Sequence, residues 1–498
     1  MKKFSKKLIP YYFVINIVYA IFVYFFISSS FADEAGNITD EFIKISLLIA
    51  LIAYVFIVLF SILYYFKTGY ELKDKEIICK RGVLFKKESI LEYSKIHAVN
   101  KKQGLVQRLF GLSTLTIDSG STNTAHQAEI TIIEENDTVN ELMNEIKARQ
   151  SGKAVNDDEQ VEVLEKENLY HFTAKTKFIY TLLNCVGTFT MVLLLSIFIS
   201  IISKYIFQNI EPWENGISRL DLILLVIGIG LVVLACVALG SIVVSFIQYH
   251  DFKIYNNGDE IEINYGLFTK HQNTFKLNRV KGIRINQGIV KRLFGFVTIN
   301  LEVIGYSNTT NNNNEQAQTV GVLIPLCKYK DIDSYLEKIL PNYKPIQKEE
   351  KTKKFLPFIS YYLIFSSIVF GILLISGLVT LGYYKYLKEA LFVSLSIIAL
   401  FILFMFFVLI NQTLSYKNNG ITISDDKITI YRGGLTKEVA VILKNNIIGI
   451  EKVTTYHRNK NDIHSYIIHF KSNAATNTIK VCNLSLDVYE KLLNLMKY

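Results

Sequence analysis

Twelve residues, Gln103–Thr114 (QGLVQRLFGLST), return at Gln287–Thr298 as QGIVKRLFGFVT, with eight of twelve positions identical and an offset of 184 residues. The same offset aligns Arg81-Gly82-Val83-Leu84 with Tyr265-Gly266-Leu267-Phe268. A register kept over so many residues marks an internal repeat, so the chain must fold as copies of one unit. Within each copy the apolar residues fall one turn apart: Leu105, Val106, Leu109 and Phe110, then Ile289, Val290, Leu293 and Phe294. That spacing predicts a short amphipathic helix with Gln107/Arg108 and Lys291/Arg292 turned away. Gly111 and Gly295 stand where a helix is closed by a left-handed residue. Alternation then predicts a strand with Leu115 and Ile117, or Ile299 and Leu301, facing inward.

A third, divergent copy follows at an offset of 167, where Gly433 aligns with Gly266 and Ile447-Ile448-Gly449-Ile450 with Val280-Lys281-Gly282-Ile283. Its central stretch, Lys452–Ile463 (KVTTYHRNKNDI), is polar, so this copy is expected to lack the helix. Each unit reads as short strands closed by an amphipathic helix: Thr138–Ala148, Asp331–Leu340 and Asp487–Met496. This is an α+β unit built on a small antiparallel sandwich or half-barrel. So small a unit buries little surface alone, and packing on a neighbour would help it.

Half of the residues are hydrophobic, and they are concentrated in six runs, roughly Leu8–Ile27, Ile43–Phe66, Phe178–Ile202, Leu222–Phe246, Phe355–Leu381 and Ala390–Ile410. About 20 apolar residues cross a hydrocarbon core of ~30 Å. The runs pair into three hairpins, which gives a multi-pass membrane protein in which hairpins 1–66, 178–246 and 355–411 alternate with soluble units 67–150, 247–341 and 412–498. Linkers are expected at 151–177 and 342–354. Lysines precede the first, third and fifth runs (Lys2, Lys3, Lys6 and Lys7; Lys175 and Lys177; Lys351, Lys353 and Lys354), while the first hairpin loop is acidic. The positive-inside rule therefore puts both termini and all soluble units in the cytoplasm. The competing reading of the N-terminus, a cleavable signal peptide ending near Ala32, has to explain why the paired-run pattern recurs twice downstream. The five cysteines show no CxxC spacing and read as small buried residues.

With these units in place, the stretch YELKDKEIICKRGVLFKKESILEYSKIHAVNKKQGLVQRLFGLSTLTI resembles the bacterial pleckstrin-homology-like (PH-like) membrane proteins of the YdbS/YdbT type. The resemblance covers nearly the whole chain and is specific in two of the three units. It implies a PH-like fold, a membrane location, no catalytic activity, a homologous membrane protein as partner, and a role in envelope stress or tolerance of antimicrobial peptides.

Chemistry is sparse. There is no Walker A loop, GxSxG elbow or HExxH, and the eight histidines are scattered. No catalytic residue, metal site or cofactor is expected. The span interiors lack ionisable residues, which argues against ion-coupled transport. Asn16, Asn184 and the glycines within the runs fit helix packing instead. Charge is the strongest signal. Ile263–Leu301 holds seven basic residues and no acidic one, and the net charge is +10. One reading is a solvated face. The other is a surface for anionic lipid headgroups, carried by Lys101, Lys102, Arg108, Arg284, Lys291 and Arg292. Nucleic acid is set aside because the aromatics lie mostly in the spans. Leu109/Phe110 and Leu293/Phe294 are expected in the cores of their own units; the alternative dips them into the bilayer interface with Arg108 and Arg292 at phosphates. The chain therefore reads as a non-enzymatic membrane scaffold binding anionic lipid or a protein partner, with a lipid or peptide conduit as the alternative.

Overall fold

The computed structural model describes residues 1–30, 39–119, 130–150, 167–183, 239–256, 260–303, 320–347, 350–351, 405–471 and 477–497, with isolated positions between. Three repeats share one order of elements. The first has β1 (Lys2–Lys3), α1 (Leu8–Ser30), α2 (Asp40–Lys67), β2 (Gly69–Leu72), β3 (Glu76–Arg81), β4 (Lys87–Glu92), β5 (Ala98–Gln103), α3 (Leu105–Leu109), β6 (Leu112–Asp118), β7 (Ile130–Glu135) and α4 (Asn136–Gln150). The second has β8 (Glu167–His171), β9 (Lys253–Asn256), β10 (Glu260–Tyr265), β11 (Lys270–Lys276), β12 (Val280–Gln287), α5 (Ile289–Leu293), β13 (Phe296–Val303), β14 (Val320–Lys328) and α6 (Ile332–Ile339). The third has β15 (Glu350–Lys351), β16 (Gly420–Ile423), β17 (Lys427–Arg432), β18 (Lys437–Leu443), β19 (Ile447–Val453), α7 (Tyr456–Lys460), β20 (His464–Phe470), β21 (Asn477–Leu484) and α8 (Leu486–Lys497).

Helices α1 and α2 have 23 and 28 residues, about 35 and 42 Å at 1.5 Å per residue, enough to cross a bilayer. They run antiparallel. Asn16 Nδ2 donates to Ser61 Oγ (3.1 Å) near one end, and Ser28 Oγ to Ser46 Oγ (3.0 Å) near the other. Asn16 thus serves helix packing, as its type suggested. The other four expected spans lie largely or wholly outside the described residues, which among them keep the apolar helix Leu239–Gln248 and helical turns at 174–183 and 405–418. Asn184 also lies outside them.

The helix pair α1/α2 does not stand beside the soluble unit but enters it. β1 precedes α1, β2 follows α2, and the two strands pair (Lys2↔Tyr70, Lys3↔Gly69). In the same way β8 pairs with β9, and β15 with β16, across the second and third apolar regions. Residues assigned from sequence to the first hairpin and to the linkers, Lys2–Lys3, Glu167–His171 and Glu350–Lys351, are therefore first strands of the sheets. Such strands are too short, and too charged, for hydrophobic alternation to mark them.

The chain divides into two bodies, the first holding repeat one and the opening strands of repeat two, the second holding β12 onward and repeat three. The core of the first body gathers Phe4 and Leu8 with Tyr70, Ile77, Leu112 and Ile117, and α4 adds Val139, Leu142, Met143 and Ile146. The core of the second body includes Ile430, Ile442, Tyr466, Phe470 and Leu492. Cys79 and Cys327 are buried free thiols, and burial pushes the Cys327 thiol up to about 12.

Sheets run through from one repeat to the next. In the first body the order is β7-β6-β5-β11-β10-β9-β8, and in the second β14-β13-β12-β18-β17-β16-β15. Fifth strand meets fourth strand of the following repeat at both seams, Gln103 opposite Lys270 and Gln287 opposite Lys437. Packing of one repeat on another therefore takes the form of backbone ladders.

The expectation that the third repeat lacks the central helix is corrected. α7 occupies the positions of Ile289–Leu293 at the 167-residue offset, and Asp462 (φ 53°) caps it in the left-handed region where Gly295 (φ 71°) caps α5. A single turn framed by two paired strands needs no apolar face to form, and aspartate tolerates that backbone well enough to replace glycine.

Gly266 shows what the hairpin turn requires. Its φ is +108°, and an added Cβ would lie 2.0 Å from the Thr269 carbonyl oxygen, whereas Gly111 (φ +65°) faces open space. Gly111→Ala should cost about 1–2 kcal/mol through left-handed backbone alone. Gly266→Ala must in addition displace a carbonyl and should cost clearly more. Thermal unfolding of the two variants in detergent checks this, and equal losses would show that the turn relaxes freely.

Candidate membrane-facing site

The strand registers fix one pole of the first body. Lys3 faces Gly69, Gly69 faces Lys80, and Arg81 faces Lys87. The β3–β4 turn therefore reaches level with, and past, the point where α2 ends at Lys67. That turn presents Leu84 and Phe85, the latter 91 % exposed, followed by exposed Lys86 and Lys87. Beside it, α3 abuts the first turns of α1. The Phe110 ring lies edge-on to Tyr11 with centroids 6.4 Å apart, and Tyr11 interacts with Gln107. Gln107 also holds the turn itself, accepting from the Gly104 N–H (3.0 Å) and donating to Thr114 Oγ1 (2.8 Å).

Leu109 and Leu293 are not core residues. They are 75 % and 79 % exposed, and Phe294 is exposed as well, while Phe110 is half-buried against α1. The helix is one turn long and sits at the end of the sheet, so periodicity gives it an apolar stripe without a surface to cover the whole of that stripe.

The six basic residues fall into two groups. Lys102 and Arg108 are exposed. Lys101 is half-buried, donates to Asn140 Oδ1 (2.5 Å), and has its pKa lowered by burial. In the second body the cations are held by protein. The Arg284 Nε lies 2.6 Å from the buried Glu302 carboxylate, with Glu438 3.4 Å from Nη1. Lys291 donates to Thr298 Oγ1 (2.8 Å), and enclosure pulls its pKa down to about 8. Arg292 donates to the Gly434 carbonyl (2.9 Å) and lies 3.4 Å from that of Leu435, in the β17–β18 turn of repeat three. Of the six, the exposed cations thus belong to the first repeat, where exposed Lys86 and Lys87 join Lys102 and Arg108, and Lys270 of the second repeat is exposed opposite Gln103. Among the described residues, no three His, Cys, Asp or Glu side chains are grouped to hold a metal ion.

A family model for the bacterial PH domain matches residues 17–150 and 217–340, more than half of the chain. The chain belongs to the bacterial PH domain family. It is also 22 % identical over 438 residues to the UPF0699 transmembrane protein YdbT of Bacillus subtilis (strain 168), covering 85 % of this chain and 83 % of that protein. The third PH repeat falls outside the family match yet keeps the strand order, the short helix and the closing helix of the other two.

Two outcomes follow from these placements. Leu109→Asp should leave the protease resistance of the detergent-solubilised chain unchanged, because the carboxylate meets solvent. Leu112→Asp, at a fully buried position, should lose several kcal/mol and be cleaved rapidly; equal resistance of the two variants would contradict the assigned core. The second outcome concerns Lys291. Between about 8 and the ordinary lysine value of 10.5, the unfolded chain still holds the proton that the folded chain has released, so stability gains with rising pH. Melting temperatures at pH 7.5 and 9.5 should show the unmodified protein gaining relative to Lys291→Met; no relative change would place the lysine in water.

Proposed function

We propose that this is a non-enzymatic membrane scaffold whose first PH repeat rests on the cytoplasmic headgroup layer of the membrane that α1 and α2 cross. One observation carries the reading: the helix feet, the bare apolar tips Leu84, Phe85 and Leu109, and the exposed cations Lys86, Lys87, Lys102 and Arg108 share one pole. Apolar tips flanked by cations suit the boundary between acyl chains and phosphates. Each lysine or arginine near an anionic leaflet contributes about 1 kcal/mol. Because the spans already anchor the chain, these contacts set the tilt and height of the repeat rather than its attachment. The lysines before α1 supply the orientation. A scaffold so placed senses the inner leaflet, where a role in envelope stress or antimicrobial-peptide tolerance would act. The second repeat contributes less to lipid contact, since Arg284, Lys291 and Arg292 have protein partners.

Phe85→Trp in a chain whose single tryptophan, Trp213, has been replaced by phenylalanine gives a direct readout. In nanodiscs containing anionic lipid its emission should be blue-shifted and quenched by brominated acyl chains. Replacing Lys86 and Arg108 by glutamate should reduce the quenching. Emission typical of water, unaffected by brominated lipid, would refute the docked pole.

A further inference from the structure

The seams between PH repeats obey a rule that leaves two edges over. β5 of repeat one pairs with β11, the fourth strand of repeat two, and β12 of repeat two pairs with β18, the fourth strand of repeat three. Among the described residues, β4 of repeat one ends its sheet and so does β19 of repeat three. One is a fourth strand and the other a fifth strand, the two kinds that pair at the internal seams. We propose that β19 of one copy pairs antiparallel with β4 of a second copy, so that the chain assembles head to tail by the ladder that already joins its own repeats.

The register follows from the repeat offsets of 184 and 167. Lys270 faces Gln103 and Lys437 faces Gln287, so Lys86 is set opposite Thr454, Glu88 opposite Lys452, and Ile90 opposite Ile450. Burial agrees with this alignment. Ile90 is 57 % exposed, whereas the residues at its position in the seamed strands, Thr274 and Val441, are 3 % and 0 % exposed. Ile450 is half-buried, and its counterparts Val99 and Ile283 are buried. The same two positions that close inside each internal seam are thus more exposed in β4 and β19.

Charge agrees as well. In the second seam Arg284 reaches diagonally to Glu438 (3.4 Å). The residues at those two positions of the proposed seam are Glu451 and Lys87, the same pair with its signs exchanged. Glu88 and Lys452 stand directly opposite in addition. Neither edge contains a proline, the residue that commonly blocks strand addition. A fourth strand that meets a fifth strand is a heterologous contact, so it builds rings or rows rather than an isologous dimer. It shares Lys87, the first residue of β4, with the proposed lipid contacts, whose apolar residues lie on the turn and the helix tip.

Cross-linking between two tagged full-length populations tests the proposal. All native cysteines are replaced; one population carries Ile90→Cys, the other Ile450→Cys, and both are co-expressed and oxidised in native membranes. A disulfide-linked heterodimer is expected, in yield several-fold above a control that pairs Ile90→Cys with Ile448→Cys, two residues out of register. Glu451→Lys should lower the yield, and Lys87→Glu on the other population should restore it. Both substitutions are at exposed edge positions, and protease resistance of each variant confirms folding independently. Absence of the heterodimer above the control would overturn the proposal. So would single-molecule photobleaching that finds one chain per particle, or a chain carrying both cysteines that closes only on itself.

Discussion

Backbone groups at the edge of a sheet must find partners or water, and in this chain that requirement governs how the repeats are joined. Every PH repeat makes a fourth and a fifth strand that its own sheets leave at the margin. Pairing the fifth strand of one repeat with the fourth of the next satisfies both rows of N–H and C=O groups at once. It also explains the cations of the second repeat. Arg284 balances the buried Glu302 beside a seam, and Arg292 ties α5 to the turn of the repeat that follows. Burying either glutamate or arginine alone would be costly, so the pair is committed to structure.

The first repeat differs in that, among the described residues, β4 ends its sheet. Its β3–β4 turn presents Leu84 and Phe85 bare, whereas exposed leucines at the helix tip, Leu109 and Leu293, are common to the first two repeats. The same motif, RLFG, thus sits in two environments: Arg292 is locked to carbonyl oxygens, while Arg108 is exposed. Repetition of sequence does not carry repetition of role, since a residue's partner comes from the neighbouring repeat as much as from its own.

Much of the fold could be read from the residues. The repeat offset, the glycine caps at Gly111 and Gly295, the inward stripe of α4 and the helix pair α1/α2 all follow from periodicity and composition, since they depend on local rules. Three things did not. The strands β1, β8 and β15 are two to five residues long, too few for alternation to register, and their pairing partners lie across an entire apolar region. α7 has no apolar stripe, because paired strands on either side hold its turn in place. Leu109 and Arg284 depart from their sequence patterns in opposite directions, the leucine being bare and the arginine enclosed. In both cases the deciding neighbour is distant in sequence, at the helix feet or across a seam. A basic run on a solvated face and a basic run along a seam have the same composition.

In the first repeat α1 and α2 enter between the first and second strands, and this has a consequence for how the protein is made. β1 emerges from the ribosome before α1, yet the strand that pairs with it follows α2. The first sheet therefore cannot be completed until both α1 and α2 have been made and the chain has returned to β1. Phe4 and Leu8, which belong to the core, wait for the same event. Placement of the helix pair is thus coupled to folding of the sheet below it: a chain whose α1 and α2 are not paired carries an open sheet and an unfilled core.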